Sequence, residues 1–477
     1  MKRVELHLHT NMSQMDGINC ITDYINKAKE FEMTSLAITD HAVVQAFPEA
    51  QKYLERIEDN KFKIIYGMEG YYSHNTKDRS YHISILVKNK TGLKNLYKIV
   101  SISNLNYFYK RPRILKELLE ENREGLLIGS ACNMGELQQA IIKNKTDEEL
   151  EQIANNYDYL EIQPLGNNYE LFREGIVKDE KELEDINRKI IELGAKSNKL
   201  VVATSDIHFL NKEDDIYRKI LQAGQGYEYA DEQAPLYFRT TEEMLNEFEY
   251  LGKEKAYEVV VTNTNKISDM CEKIKPISDE KCYPYIPNSE TELKKLAYEG
   301  AYKIYGNSLP KEIEDRLNKE LNSIIDNGYS SLYMIFQKLV AKSNEDGYIV
   351  GSRGAVGSSL VAYLIGITEV DPIKYNIPFE TFAGFYGYKE PDIDLNFSGE
   401  YQIMAQRYVK NIIEGSTTYK AGTVGTIADK TAYGFVKKYY DEKGIQINNA
   451  EIEKIAEGIT GIKRTTGQHP RRSYNSS

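Results

Sequence analysis

From the N-terminus to about residue 210 the chain alternates short apolar runs with polar stretches of helical periodicity. The runs are Val4 to Leu6, Ser35 to Thr39, Lys63 to Tyr66, Ile83 to Val87, Gly125 to Gly129, Tyr159 to Ile162 and Leu200 to Ala203. Each has the length and branched side chains of a buried strand, and intervening stretches such as Glu180 to Leu193 repeat apolar positions every three or four residues. Strands alternating with helices in this way predict a parallel, barrel-like α/β domain.

Past residue 210 the pattern lengthens into amphipathic helices over Thr241 to Phe248, Lys253 to Cys271 and Glu290 to Tyr305, the last two separated by the Pro-bearing stretch Ile274 to Pro287. A domain boundary is expected at 210–230. Strand-like runs at Gly347 to Val350 and Pro391 to Leu395 predict a second α/β unit, and 401–462 reads as mostly helical.

At 477 residues the chain exceeds one ordinary core, which agrees with two or three domains. The composition is 41% hydrophobic and 28% charged, and no apolar run approaches the roughly 20 residues of a membrane span. With no apolar signal core at the N-terminus, a cytoplasmic protein without a membrane partner is expected. Cys20, Cys132, Cys271 and Cys282 form no Cys-x-x-Cys pair, so neither a disulfide framework nor a zinc ribbon is predicted. The net charge of -11 argues against wholesale coating of nucleic acid, yet it leaves room for a local basic groove.

Candidate chemistry begins with His7 and His9, two apart on a strand, so both imidazoles share a face. His41, Glu69, His82, Cys132, Asp206 and His208 fall at or near ends of the other runs, and Asp16 lies in the loop after the first. Loops at one end of an α/β barrel converge, which gathers these side chains. Five of the seven histidines belong to the set, more than unrelated core positions explain. Nitrogen, carboxylate and thiolate donors together suit Zn²⁺, Mn²⁺ or Fe²⁺, and nine of them suffice for two or three ions, whose natural chemistry is phosphoester hydrolysis.

The run Glu5 to Thr10, the segment Ile38 to His41, and Tyr81-His82, Gly129 to Cys132 and Asp206 to His208 resemble the PHP (polymerase and histidinol phosphatase) family. That resemblance implies a distorted (β/α)7 barrel in which the nine residues named above bind up to three metals. Some members of the family hydrolyse phosphoesters or act as 3′-to-5′ exonucleases.

A second constellation pairs Asp392 with Asp394, two apart in a strand-like run, as two-metal nucleotidyl transfer requires. The loop Gly351 to Ser359 carries glycines that admit close backbone approach and Arg353, which can fork a phosphate; the helix expected after it would favour an anion at its N-terminus. These motifs, with Ala421 to Lys430 and Lys463 to Pro470, resemble PolC-type DNA polymerase III alpha subunits nearly end to end. The resemblance implies a PHP domain at 1–215, a C-family palm with connecting helices at 216–400, a helical thumb at 401–463 and a partial return to the palm at 464–477. It implies Mg²⁺ at Asp392 and Asp394, and incoming dNTP at Ser352, Arg353, Gly354, Gly357 and Ser358. Primer-template DNA would lie on Lys420, Lys430, Lys437 and Lys438, whose type suits phosphate contacts that carry no sequence information. Sliding clamp and replisome components are implied as partners by family.

The pattern departs from that family in four ways. An N-terminal OB domain is not expected, the stretch Gly70 to Tyr81 stands where the resemblance would place a DEDD exonuclease, zinc-ligand cysteines before Ile377 are absent, and the third catalytic carboxylate and fingers are expected to be missing. The tail 471–477, decoded one base later from a compatible codon set, reads Gly-Gly-Val-Ile-Ile-Val, which suggests a frameshift. The expectation is therefore a truncated polymerase inactive in synthesis. Its rivals are a metal-dependent phosphoesterase or exonuclease working through the PHP site, and a non-catalytic fragment that binds DNA or a partner with structural metals.

Overall fold

Six of the seven apolar runs become strands of one curled sheet. In chain order they and two short additions are β1 (Ser35–Ile38), β2 (Lys63–Ser73), β3 (Tyr81–Val87), β4 (Phe108–Tyr109), β5 (Arg111–Leu115), β6 (Leu126–Gly129), β7 (Tyr159–Ile162) and β8 (Leu200–Ala203). The computed structural model describes residues 1–280, 282–384, 389–413 and 418–475. Strand order is β4-β5-β2-β3-β6-β7-β8, with β1 beside β2.

The sheet is mixed, not parallel: β3 runs against both β2 and β6. Only residues 74–80 join β2 to β3, and a parallel crossover needs a dozen or more residues. The run at Val4 to Leu6 is not a strand of its own. Instead the N-terminal segment threads between two neighbours, with Glu5 bridged to Leu36 and Leu8 to Ile207. His9 N donates to Ile207 O at 2.8 Å and Ile207 N to His7 O at 3.0 Å. This segment thus brings the first histidine pair alongside the residues that follow β8.

The helix Glu180–Lys196 shows how the outer layer forms. It buries Leu183, Ile186, Ile190 and Leu193 on one stripe, and Asp179 caps it by accepting from Glu182 N. The helix expected over Lys253 to Cys271 is broken into Lys253–Tyr257, a π turn at Glu258–Thr262, and Asn263–Asp269. The wider turn buries three consecutive valines, Val259 to Val261, more than one α-helical stripe would cover.

The first of two units comprises Met1–Ser278 and Val424–Thr466. In it, helices Asp429–Glu442 and Asn449–Glu457 share a core with Phe209, Ile220 and Leu221 through Val436 and Ile452, joined by Ile459 just after the second helix. Gly224 allows the approach, since a Cβ there would stand 2.3 Å from the Phe435 ring.

The second unit comprises Asp279–Thr423 and the residues from Gly467 onward. Helices Ser289–Tyr305, Lys311–Asp326 and Ser330–Glu345 share a core that includes Leu293, Leu317, Tyr333 and Leu360. The strand expected at Gly347 to Val350 is displaced to β9 (Gly351–Arg353), which pairs antiparallel with β10 (Asp394–Asn396). Gly347, at φ 86°, and Tyr348 are used to stop the preceding helix, donating to Asn344 O and Ser343 O. The stretch 401–462, expected to be mostly helical, also holds β11 (Thr418–Thr426), which pairs with β12 (Lys463–Asn475).

Candidate metal centre and the paired aspartates

Strands and loops of the curled sheet bring nine candidate ligands together, with Glu69 inside β2 rather than at its end, His82 in β3 and the rest in adjoining segments. His7 and His9 alternate with buried Leu6 and Leu8 and are themselves fully buried. His41 follows β1 and bridges Glu69 in β2. His82 opens its strand rather than closing it, and it reaches the same cluster because β3 runs in reverse. Asp206 itself, and Ala42 and Ala131 beside His41 and Cys132, hold left-handed backbone at φ 53°, 53° and 57°. Each such non-glycine residue costs roughly 1 kcal/mol or more, a strain commonly kept at functional sites.

Glu69 stands at the middle. Its Oε1 lies 3.2 Å from His7 Nε2, 3.0 Å from His82 Nδ1 and 3.5 Å from Cys132 Sγ, and its Oε2 lies 3.3 Å from His9 Nε2 and 2.9 Å from His41 Nδ1. Asp206 Oδ1 is 3.4 Å from both His7 Nε2 and His9 Nε2, and Asp16 Oδ2 is 3.2 Å from His41 Nε2 and 3.3 Å from His208 Nε2. Among the described residues, three triads have ligand atoms close enough to hold an ion: His9 with His41 and His208, His7 with His9 and Glu69, and His41 with Glu69 and His82.

Whether these residues fit metal ions is tested by their bare atoms. His7 Nε2, His9 Nε2, His41 Nδ1 and Asp206 Oδ1 are buried and make no hydrogen bond, although carboxylate or imidazole partners stand within 3.4 Å. An orphaned buried polar atom costs about 1–3 kcal/mol. Asp206 Oδ1 lies 3.4 Å from His7 Nε2 and His9 Nε2, and His41 Nδ1 lies 2.9 Å from Glu69 Oε2, so buried lone pairs crowd together in a way that suits cations.

Residues outside the predicted set hold the ligands in place. His7 Nδ1 meets Glu161 Oε2 at 2.9 Å, an oxygen that also accepts from Thr204 Oγ1 at 3.0 Å. His9 Nδ1 meets Ser13 Oγ at 3.0 Å, and Ser13 donates to Asp40 Oδ1 at 2.7 Å. Glu5, ion-paired to Arg3 at 2.6 Å, accepts from the amides of Leu6, His7 and Ser205, which fixes the two segments that meet here. Arg218 grips Asp16 Oδ1 through Nη2 at 2.7 Å and Nε at 2.9 Å. A carboxylate behind a ligating imidazole fixes its ring and raises its basicity. Sequence reasoning missed Glu5, Asp40 and Glu161, although an acid inside an apolar run such as Leu160-Glu161-Ile162 is a usable signal.

Charge is balanced inside the cluster. Burial works to raise the Asp16 carboxyl, but Arg218, His208 and His41 hold it well below the usual carboxylate range. Burial opposes Glu69 in the same way and is outweighed by His82, His7 and His41. Cys132 has no such help: burial, then Glu69 and Asp206, push its thiol well above its ordinary value, so only a cation would favour its thiolate.

In the second unit, Asp394 pairs with Arg353 in the β9–β10 ladder, while Asp392 precedes β10; both aspartates are exposed on either side of buried Ile393. Gly354, at φ 72°, lies close to Asp394: a Cβ there would stand 3.8 Å from its Oδ2. Gly354 and Gly357 belong to a 3-10 turn ending at buried Ser358, and the side chains of Ser352 and Arg353 lie outside the described part of the structure. The helix after this loop is only Leu360–Leu364, and its N-terminus already has an anion. Fully buried Glu320 accepts from Leu360 N at 3.0 Å, Val361 N at 3.1 Å and Ser359 Oγ at 2.9 Å, and pairs with Arg316 Nε at 2.5 Å. Arg316 also donates to Ser358 O and Ile377 O. Among the described residues, no metal-competent triad includes Asp392 or Asp394.

Lys420 is exposed in β11, and Lys430, Lys437 and Lys438 are exposed on helix Asp429–Glu442, where Lys438 pairs with Glu442 at 3.6 Å. No helix among the described residues is long and apolar enough to cross a membrane.

Comparison with known families matches residues 5–164 to the PHP domain and residues 291–449 to the bacterial DNA polymerase III alpha NTPase domain. Among curated proteins, the chain is 53% identical over 461 residues to DNA polymerase III PolC-type from Clostridium perfringens, an alignment covering 88% of this chain and 31% of that protein. It is 50% identical over 431 residues to the PolC-type enzyme of Caldanaerobacter subterraneus (82% and 31% covered) and 47% identical over 438 residues to that of Bacillus subtilis (83% and 30% covered). The chain thus spans about a third of the length of these relatives.

Proposed function

We propose, from a chain homologous to PolC-type DNA polymerase III over most of its length and bearing its PHP and alpha-subunit domains, that it is the PHP-and-palm portion of a replicative DNA polymerase. Its family reaction is template-directed addition of dNTPs to a primer. In this reading Asp392 and Asp394 hold Mg²⁺, and the turn at Gly354 to Ser358 receives the triphosphate beside them. The exposed lysines Lys420, Lys430, Lys437 and Lys438 meet DNA phosphates in this reading, which also proposes a sliding clamp and other replisome components as partners. Two carboxylates alone are a thin set for two ions. This chain by itself is accordingly expected to give no primer-extension product with Mg²⁺ and dNTPs, and processive product would contradict that.

The geometry supports most strongly a metal-dependent PHP centre, and the observation that carries it is the four bare buried ligand atoms. His7, His9, Asp16, His41, Glu69, His82, Cys132, Asp206 and His208 would hold up to three Zn²⁺, Mn²⁺ or Fe²⁺ ions. Such ions, when bound, supply a nucleophile at neutral pH and neutralise phosphate charge. The residues' own part is orientation: Glu161 and Ser13 fix the two imidazoles, and Arg218 fixes Asp16. Phosphoester hydrolysis, including release of nucleotides from a DNA 3′ end, is the activity proposed. Mn²⁺-dependent mononucleotide release, absent in EDTA and abolished by His9→Ala, is the expected result; no release by metal-loaded protein from oligonucleotides or simple phosphoesters would refute it.

A specific contact favours a second reading, in which the ions brace the fold. The Asp16 loop is laced to Lys463, with Met15 N donating to Lys463 O at 3.0 Å and Lys463 N to Asn11 O at 2.9 Å. Metal removal that lowers the melting temperature steeply, in protein that hydrolyses nothing, is the signature of that role.

A further inference from the structure

One stretch of this acidic chain is wholly basic. Residues 79–116 contain nine Lys or Arg and no Asp or Glu, against a net charge of -11 for the whole. Its most exposed part is the β4–β5 hairpin, where Tyr109 pairs with Arg111 across a tip formed by Lys110 at φ 61°. Phe108 and Tyr109 are 58% and 41% exposed and stand side by side in β4. The hairpin is held firmly: Arg113, itself buried, donates to Tyr109 O at 3.3 Å and to Asp78 O at 3.0 Å, which ties the hairpin to the loop carrying exposed Lys77 and Arg79.

This surface leads directly to the metal centre. The Arg111 guanidinium lies 4.8 Å from the Tyr71 ring. Tyr71 in turn stacks on His41 at 6.1 Å and 13°, and meets the His82 ring edge-on at 5.5 Å. One aromatic ring therefore separates a basic, aromatic hairpin from two candidate ligands.

We propose that the Phe108–Leu115 hairpin, with Lys77 and Arg79, is a docking platform for single-stranded DNA that lays the strand's phosphodiester backbone over Tyr71 toward the PHP centre. The proposal rests on the phosphoesterase reading of that centre for its purpose, but not for its test. Charge complementarity selects the partner class, since cations interleaved with exposed rings grip a strand's phosphates and stack its bases. A duplex, with its bases already stacked on one another, gains nothing from Phe108 and Tyr109.

The test is fluorescence anisotropy of a labelled thymidine 12-mer with the full chain in EDTA, so that failure of hydrolysis and failure of docking are separate results. Lys110→Ala/Arg111→Ala is expected to weaken binding about tenfold and to reduce the slope of log affinity against log salt by roughly 1.4, near 0.7 for each phosphate no longer neutralised. Phe108→Ala is expected to weaken binding about fivefold or more through the missing stacking partner. Lys181→Ala, an exposed helix lysine elsewhere on the same unit, is expected to leave affinity unchanged. Photo-crosslinking of the unaltered protein to a thiothymidine strand should label the peptide containing Phe108 and Tyr109, whatever the variants' stability. Affinity of the double variant within twofold of the parent, duplex binding as tight as single-strand binding, or crosslinks confined to other peptides would overturn the proposal.

Discussion

Replacing Glu320 with alanine is predicted to unfold the second unit far more readily than its place on a charged helix suggests. Glu320 is fully buried, pairs with Arg316 at 2.5 Å and takes two amides at the start of helix Leu360–Leu364. Removing one partner of a buried pair costs about 3–5 kcal/mol, because the other charge is left uncompensated. Loss of the cap, about 0.5–2 kcal/mol, comes from the same carboxylate and is not added in full, so a destabilisation of about 4 kcal/mol is expected. At a urea slope of about 2 kcal/mol/M this moves the midpoint of the second unit's transition by about 2 M. The chain has no Trp, so far-UV circular dichroism with tyrosine emission is the readout. The pH dependence adds a sign. Burial raises the Glu320 carboxyl above its ordinary value, against the pull of Arg316 and the two amides. The folded state thus binds the proton more tightly, and its contribution falls as pH rises from the unfolded value of 4.5. The stability gap between the parent and Glu320→Gln should therefore be wider at pH 4.5 than at pH 7. A Glu320→Ala protein within about 1 kcal/mol of the parent would refute the reasoning.

Other outcomes follow from single contacts. Glu161→Gln leaves His7 without its carboxylate, and metal affinity measured by competition with a chromogenic chelator should fall about 10- to 100-fold; unaltered affinity would mean that His7 is not held from behind. Gly224→Val drives its side chain into the Phe435 ring, which stands only 2.3 Å from where the first added carbon must go, and should destabilise the first unit by about 1–3 kcal/mol in thermal melts. Lys438→Ala removes only an exposed pair with Glu442 and should change stability by less than about 0.5 kcal/mol in the same melts.

The strand runs of the first unit were legible because buried strands leave contiguous apolar letters, and His7 and His9 because a spacing of two puts both on one face. The reversal of β3 was not, since direction lies in the length of the 74–80 connection rather than in the letters of the strand. Glu320 was hidden for another reason. With Arg316 four residues before it, it has the same spacing as a solvated surface pair, and only tertiary packing buries it. Glu5 and Glu161 sit between apolar residues, where an acid is costly unless it is paired, so their positions carried information that a pattern of metal-ligand types does not capture, whereas Asp40, between Thr39 and His41, carried no such signal.

The central claim is that nine side chains of the first unit form a cage for metal ions. Its most direct test is the metal content of protein reconstituted with Mn²⁺ or Zn²⁺, freed of loose ions and measured by plasma mass spectrometry. Three ligand triads predict two to three ions per chain, with Glu69→Ala retaining at most one, because Glu69 belongs to two of the triads. A folded parent protein that retains no ion would contradict the account.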